Sequence, residues 1–314
     1  MTASIMVTGV GVATPWGSVA SELPPVTSTP VPGDETWFDP RTRLGPRGYK
    51  YLPAACQYLL AAARDALGER QAPEPTRSGV AVGTNLAAAG THSTMDYTII
   101  HKGAESLSPA SAPFFAVNVF GSRLAIEQRA KAFSLTLTAP RIAGLESLQI
   151  ASRALRMSRA DLALAGATET PGPPGGADTT GAAGAAVFVL ETAERAVDPL
   201  GTVETVSAFV SPRTPAAGPV VDGAWRSLAA EGYPVTLYAD DCPVTDSLAG
   251  ALGTVTSEVT VRAPGTGCVA PAWHVASLLA RRAEPQVVAA VSRTGNAVFT
   301  AITTTGGSRD QRIA

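Results

Sequence analysis

The 314 residues, 45% hydrophobic and 16% charged, have the balance of a globular α/β protein and exclude a disordered or fibrous chain. A formal net charge of −2, with no basic run longer than an Arg-Arg pair, excludes an electrostatic nucleic-acid binder. Cys56, Cys242 and Cys268 lack CxxC or Cys/His spacing, which excludes a disulfide framework and a structural zinc site. No apolar run approaches the roughly 20 residues that span a bilayer, and the opening Met1-Thr2-Ala3-Ser4 lacks a charged signal-peptide region, so the expected setting is cytoplasmic, without membrane, metal or cofactor.

The opening run Ile5–Val12 reads as a strand buried on both faces. Its Gly9-Val10-Gly11 suggests a dinucleotide fingerprint, but Val12-Ala13-Thr14 stands where the third glycine belongs and Pro15 forbids an early helical turn. Residues 18–48, rich in Pro, Ser, Thr and Gly, read as a long surface connection. A helix follows from about Leu52 to Leu67, because Leu52, Cys56, Leu59, Leu60, Ala63 and Leu67 share one stripe. Gly79–Thr84 and Phe133–Ala139 read as strands, and the irregular stretch 85–132 between them carries helical patterns around Met95–His101 and Val117–Gln128. A helix over Ile142–Met157, a strand over Asp161–Ala167, a Pro/Gly loop from Pro171 to Gly176 and a strand over Ala185–Glu191 complete an alternating first half. In the second half, strands are expected near Val203–Phe209, Pro234–Tyr238, Glu258–Arg262, Gln286–Ser292 and Ala297–Thr303, and helices near Ala224–Glu231, Asp246–Leu252 and Trp273–Ala283. Two α/β halves of like element order, 1–200 and a shortened 201–314, are therefore expected to form one compact unit.

Several of these runs carry a family resemblance over essentially the whole chain. Val7-Thr8-Gly9-Val10-Gly11 with Thr14-Pro15-Trp16-Gly17, Ala163–Glu169, and Gly184–Glu191 resemble landmark strands of the β-ketoacyl synthases. Ala116-Val117-Asn118 and the helix after it are similar to the segment before the nucleophile strand, as in chain length factors of type II polyketide synthases. The resemblance implies a thiolase-like α/β fold of layered αβαβα architecture.

In an active ketosynthase the nucleophile is a cysteine between a strand end and a helix N-terminus, where the dipole favours its thiolate. Counting back from Gly144-Leu145, which match the family's helix, Arg141 takes that place. A guanidinium stays protonated and forms no thioester. The family's two histidines, which stabilise the developing enolate, also look absent. The first falls between Tyr238 and Asp240, the second at Cys268, and Ala263 stands where the family has lysine. Chain length factors also lack the cysteine but most often carry glutamine there, so Arg141 departs from both patterns. An arginine at a helix N-terminus needs a compensating carboxylate, for which Glu169, Asp240 and Asp241 are candidates.

The resemblance implies a non-catalytic chain length factor that forms a heterodimer with an active ketosynthase and meets acyl carrier protein through that complex. Reduced length points to the kind that pairs with polyene-making ketosynthases. The chain would supply the far wall of an acyl tunnel, with Met95, Thr98, Ile99, Phe114 and Phe115 as wall residues in the 91–101 helix and in a strand before the next helix. Extra methylenes against a closed wall cost roughly 1–3 kcal/mol, which sets length sterically. Two rivals stay open: an acyltransferase or thioesterase acting alone through Cys268 or Cys242, and a homodimeric acyl-binding scaffold. Cys268 reads as an inert core thiol, His274 as a satisfied, partly buried histidine, and His92 and His101 as solvent-facing.

Overall fold

A computed structural model describes residues 4–24, 37–46, 48–70, 73–171, 183–263 and 267–306. Ten strands are present among them: β1 (Ile5–Ala13), β2 (Ser78–Gly83), β3 (Phe133–Leu137), β4 (Leu162–Glu169), β5 (Gly184–Thr192), β6 (Gly201–Phe209), β7 (Val235–Ala239), β8 (Val259–Arg262), β9 (Gln286–Val291) and β10 (Asn296–Thr304). Eight α-helices accompany them: α1 (Pro40–Leu44), α2 (Ala54–Leu67), α3 (Ala89–Lys102), α4 (Val119–Glu127), α5 (Ala143–Arg156), α6 (Gly218–Leu228), α7 (Pro243–Leu252) and α8 (Val269–Ala280).

The strand order is β3-β2-β4-β5-β1-β6-β10-β9-β7-β8. Renumbering β6 to β10 as a second set of five gives the first set's order in mirror image. The pairing repeats too: β2 is parallel to β3 and β4, as β7 is to β8 and β9, while β5 and β10 run antiparallel to both of their neighbours. Among the described residues the two sets of strands pair only at Met6 opposite Thr202 and Val7 opposite Gly201. A seam this short leaves the half-sheets free to fold face to face.

Side-chain alternation decides what fills each face. In β5, Phe188 and Leu190 join a central core with α5 and α8, whereas Val187 and Val189 join an outer core under α2. In β10, Val298 and Ile302 point to that central core, whereas Phe299 and Ala301 join the outer core of the second half with Trp225 and Leu228 of α6 and Leu248 of α7. Helix α5 contacts β2 and β4 on one side and β6 and β10 on the other. The layers are therefore α2/α4, first half-sheet, α5/α8, second half-sheet and α6/α7, the expected αβαβα arrangement.

Gly9 and Gly11 have a packing role. A Cβ on either would lie 2.1 Å or 2.0 Å from the carbonyl oxygen of Ala66 or Ala62, so α2 rests directly on the β1 backbone, and no dinucleotide loop is built there.

Three helices begin earlier than their apolar spacing predicts. α6 starts at Gly218, α7 at Pro243 and α8 at Val269, and each has a proline in its first turn, Pro219, Pro243 and Pro271. First-turn N–H groups have no intrahelical partner, so proline is tolerated there although it breaks a helix interior. The 18–48 connection is not wholly superficial: Ala20 and Leu23 join the central core, and Leu44 of α1 packs under α2. Asp39 caps α1 by accepting from Arg41 N–H at 3.0 Å. Residues 25–36 of that connection and residues 172–176 of the Pro/Gly loop lie outside the described residues.

Candidate functional site

The first and second halves meet at the corner between β3 and α5. The chain leaves β3 at Leu137, turns through Thr138-Ala139-Pro140, and reaches Arg141 with φ +68°. A non-glycine residue in this left-handed region costs roughly 1–2 kcal/mol, so the surroundings must hold it there. Arg141 is 8% exposed and reaches across to the second half, where Asp240 follows the end of β7. Its Nε and Nη2 donate to Oδ2 and Oδ1 of Asp240 at 3.2 and 2.9 Å, a two-point guanidinium–carboxylate pairing. Arg293 Nε adds a longer contact to Asp240 Oδ2 at 3.7 Å. Of the three candidate carboxylates, Asp240 is the one that pairs with Arg141. The Asp240 carbonyl in turn accepts from Thr245 Oγ1 at 2.6 Å, which ties this loop to the first turn of α7.

Glu169, at the end of β4, has a different task. Fully buried, it accepts N–H bonds from Asn85 and Leu86 at 2.7 Å each and from Cys268 at 3.0 Å. Burial raises its pKa, against the pull of those N–H donors. The carboxyl thereby joins the loop after β2 to the start of α8, where Gly144 of α5 packs so closely that a Cβ would lie 2.3 Å from the Cys268 carbonyl oxygen.

Cys268 precedes α8 but is fully buried, and burial together with Glu169 pushes its thiol well above the ordinary value. Its nearby charges are Glu169 and Glu146, carboxylates that oppose a thiolate. Such a thiol is no nucleophile near neutral pH. Cys56 is likewise buried, with its pKa pushed up to about 12 by burial. Cys242 is half-buried, its Sγ 3.4 Å from Thr245 Oγ1. Among the described residues no histidine bonds a cysteine or a carboxylate, and no cluster of three metal-ligating side chains forms. Titrating the native chain with a thiol reagent should therefore modify Cys242 first, and Cys242→Ser should remove that fast phase. Rapid modification of Cys268 would contradict the burial described here.

Tyr238 points from β7 into the central core with no exposed surface, and burial raises its pKa. The His274 ring of α8 meets it edge-on at 5.9 Å. The expectation of a satisfied His274 needs correction: its Nδ1 is buried without a hydrogen-bond partner among the described residues, because the apolar face of α8 offers none. Burial first, then the positive charges of Arg262 and Arg281, lower its pKa to about 4. An unfolded histidine titrates near 6.5, so between about pH 6.5 and pH 4 only the unfolded chain takes up this proton. Stability should then fall as pH falls through that window, by up to about 2–3 kcal/mol. His274→Gln should flatten that part of a denaturation-midpoint profile, and an unchanged slope would refute the assignment. Ala263, at the end of β8, is exposed.

The proposed wall residues divide. Met95 and Thr98 of α3 line a groove of about 430 Å³ together with Thr91, Thr94, Ser106 and Leu107. Ile99 is 43% exposed and lies outside the groove lining, as do Phe114 and Phe115. Those two phenylalanines lie in a 3-10 stretch, Pro109–Phe115, and not in a strand. Pro109 and Pro113 lack the N–H that a ladder needs. His92 is half-buried, with its Nε2 2.7 Å from the Phe115 carbonyl oxygen, and so joins α3 to this stretch. Sequence reasoning missed the groove's second wall, Ser106 to Ser111, whose Leu-Ser-Pro-Ala-Ser composition reads as an ordinary loop, and it missed the approach of Arg293 to Asp240.

Two five-stranded halves around a pair of buried helices, meeting at a strained strand-to-helix corner, define a thiolase-like protein. The family model for the β-ketoacyl synthase N-terminal domain matches residues 18–201, more than half of the chain, which therefore belongs to the β-ketoacyl synthase family. A granaticin polyketide β-ketoacyl synthase of Streptomyces violaceoruber is 27% identical over 202 residues, 55% of this chain and 48% of that protein, so the chain spans about half the length of the curated relative it matches. Among solved structures, the ishigamide ketosynthase/chain length factor aligns with TM-score 0.75 at 21% identity, covering 96% of this chain and all of that one. The AntDE:AntF complex, a type II polyketide synthase acyl-carrier protein with its ketosynthase bound to the hexaketide, aligns with TM-score 0.78 at 16% identity over 97% of this chain and all of that one. A β-ketoacyl synthase from Burkholderia phymatum aligns with TM-score 0.67 at 15% identity over 96% of this chain and all of that one. These structural likenesses establish the fold. Among the described residues no helix is long and apolar enough to cross a membrane.

Proposed function

We propose that this chain is the non-catalytic, chain-length-factor-like partner of an active ketosynthase in a type II polyketide synthase. The observation that carries the reading is Arg141: the corner where the family places its nucleophile holds a buried guanidinium locked onto Asp240. That group is permanently charged and engaged, and supplies neither thiolate nor base. Tyr238, Asp240 and Cys268 take the family's histidine positions in the same reading, and Ala263 its lysine position. The ketosynthase would bring cysteine and histidines, and this chain a wall of the acyl tunnel at the α3 groove, where Met95 is the buried side chain that bounds chain growth. Acyl carrier protein would reach the pair through the ketosynthase, and no cofactor is needed. The division at residue 200 into two like halves belongs to the same reading, as does a cytoplasmic setting.

An open sheet edge supports association. β3 ends the strand order and exposes Leu135 (47%), and α4, which packs on β3, exposes Ile126 (67%). Unpaired backbone groups with apolar side chains around them are a template for another chain. Co-expression with the ketosynthase encoded nearest to it, followed by size-exclusion with light scattering, should give a 1:1 complex. A stable self-dimer indifferent to any ketosynthase would instead support the homodimeric scaffold.

A further inference from the structure

The α3 groove is lined by more hydroxyls than a hydrocarbon chain can use. Thr91, Thr94, Thr98, Ser106, Ser108 and Ser111 face it, and its apolar side chains are Met95 and Leu107. None of these carries a charge. The direction of the hydroxyl protons matters. Thr94 Oγ1 donates to the Gly90 carbonyl at 2.9 Å and Thr98 Oγ1 to the Thr94 carbonyl at 2.8 Å, each one turn back along α3. On the opposite wall, Ser106 Oγ donates to the Lys102 carbonyl at 2.8 Å and Ser111 Oγ to the Ser108 carbonyl at 2.6 Å. Four hydroxyls have thus committed their protons to local backbone and present lone pairs to the cavity.

We propose that the groove is selective for an acyl chain bearing hydroxyl groups, in preference to a saturated, polyunsaturated or purely keto chain. This rests on reading the groove as the acyl site. A hydrocarbon chain would strip water from the acceptors and return nothing. A ketone brings only acceptors, which those four hydroxyls could meet only by giving up their backbone bonds. A chain hydroxyl is a donor and meets the lone pairs as they stand, while its methylenes rest on Met95, Leu107 and the threonine methyls. Discrimination by a polar match of this kind exceeds what one methylene in an apolar pocket provides.

Pantetheine thioesters of 3-hydroxydecanoate, 3-oxodecanoate and decanoate, titrated calorimetrically into the co-purified complex, test this. The hydroxy compound should bind at least fivefold more tightly than either of the others. The double variant Thr94→Val with Thr98→Val should erase that preference by weakening hydroxydecanoyl binding more than decanoyl binding, and Ser111→Ala, outside the helix, should reduce it on its own. Decanoyl binding as tight as hydroxydecanoyl binding overturns the proposal, as does a preference that survives both variants. If the complex forms but none of the three binds, the groove inference fails while the heterodimer reading stands. If no complex forms, the heterodimer reading fails, and the same titration on the chain alone decides the groove.

Discussion

Replacing Leu135 with Asp is expected to weaken association with the ketosynthase at least 100-fold while leaving the fold intact. Leu135 lies on β3, 47% exposed at the free end of the first half-sheet, so the substitution disturbs little in the isolated chain. In a complex built on that edge it would place an unpaired carboxylate against apolar surface. Burying such a charge costs several kcal/mol, and about 2.7 kcal/mol already corresponds to 100-fold in affinity. The opposite end of the sheet supplies the control. Val261 of β8 is equally exposed, at 48%, on the other terminal strand, and Val261→Asp should leave association unchanged. Equal effects from both substitutions, or none from Leu135→Asp, would remove β3 as the docking edge.

Asp240→Ala should be among the most destabilising single changes near the corner. It leaves Arg141, with only 10% of its side chain exposed and a left-handed backbone, without its two-point carboxylate partner. Removing one member of a buried pair costs about 3–5 kcal/mol, and the slight exposure of this one reduces the expectation to about 2–4 kcal/mol in urea denaturation. Arg141→Ala combined with Asp240→Ala should recover part of that loss, because the guanidinium that lost this carboxylate is then gone. A midpoint for Asp240→Ala indistinguishable from the parent would mean that the pair does not hold the two halves together.

Much of the fold is legible in local spacing. The period-2 alternation of Val187, Phe188, Val189 and Leu190 and the stripe of α2 record which faces are buried, and the strands fall within a residue or two of their expected positions. Helix starts were harder to read wherever a proline opened the first turn, since the residue that breaks a helix interior is accepted at its beginning. The site was legible only in part. That Arg141 stands at the family's nucleophile position is an expectation from the resemblance, and its pairing with Asp240, not Glu169, joins residues 99 apart in sequence and depends on how two half-sheets close. Glu169 reads as the end of an apolar strand; that it accepts N–H bonds from two loops follows only from their arrival beside it. Phe114 and Phe115, expected as wall residues, lie outside the α3 groove, whose lining includes serines and threonines with hydroxyls bonded to local carbonyls.

This chain is expected to carry no acyl group and to perform no condensation by itself. Intact-mass measurement after incubation with acyl-carrier-protein thioesters, for this chain alone, the ketosynthase alone and the pair, tests it most directly. An acyl adduct is expected on the ketosynthase only, and elongated product from the pair but not from this chain. A stable acyl adduct on this chain, or elongation or hydrolysis by it in isolation, would contradict the account and turn attention to Cys242 and Cys268.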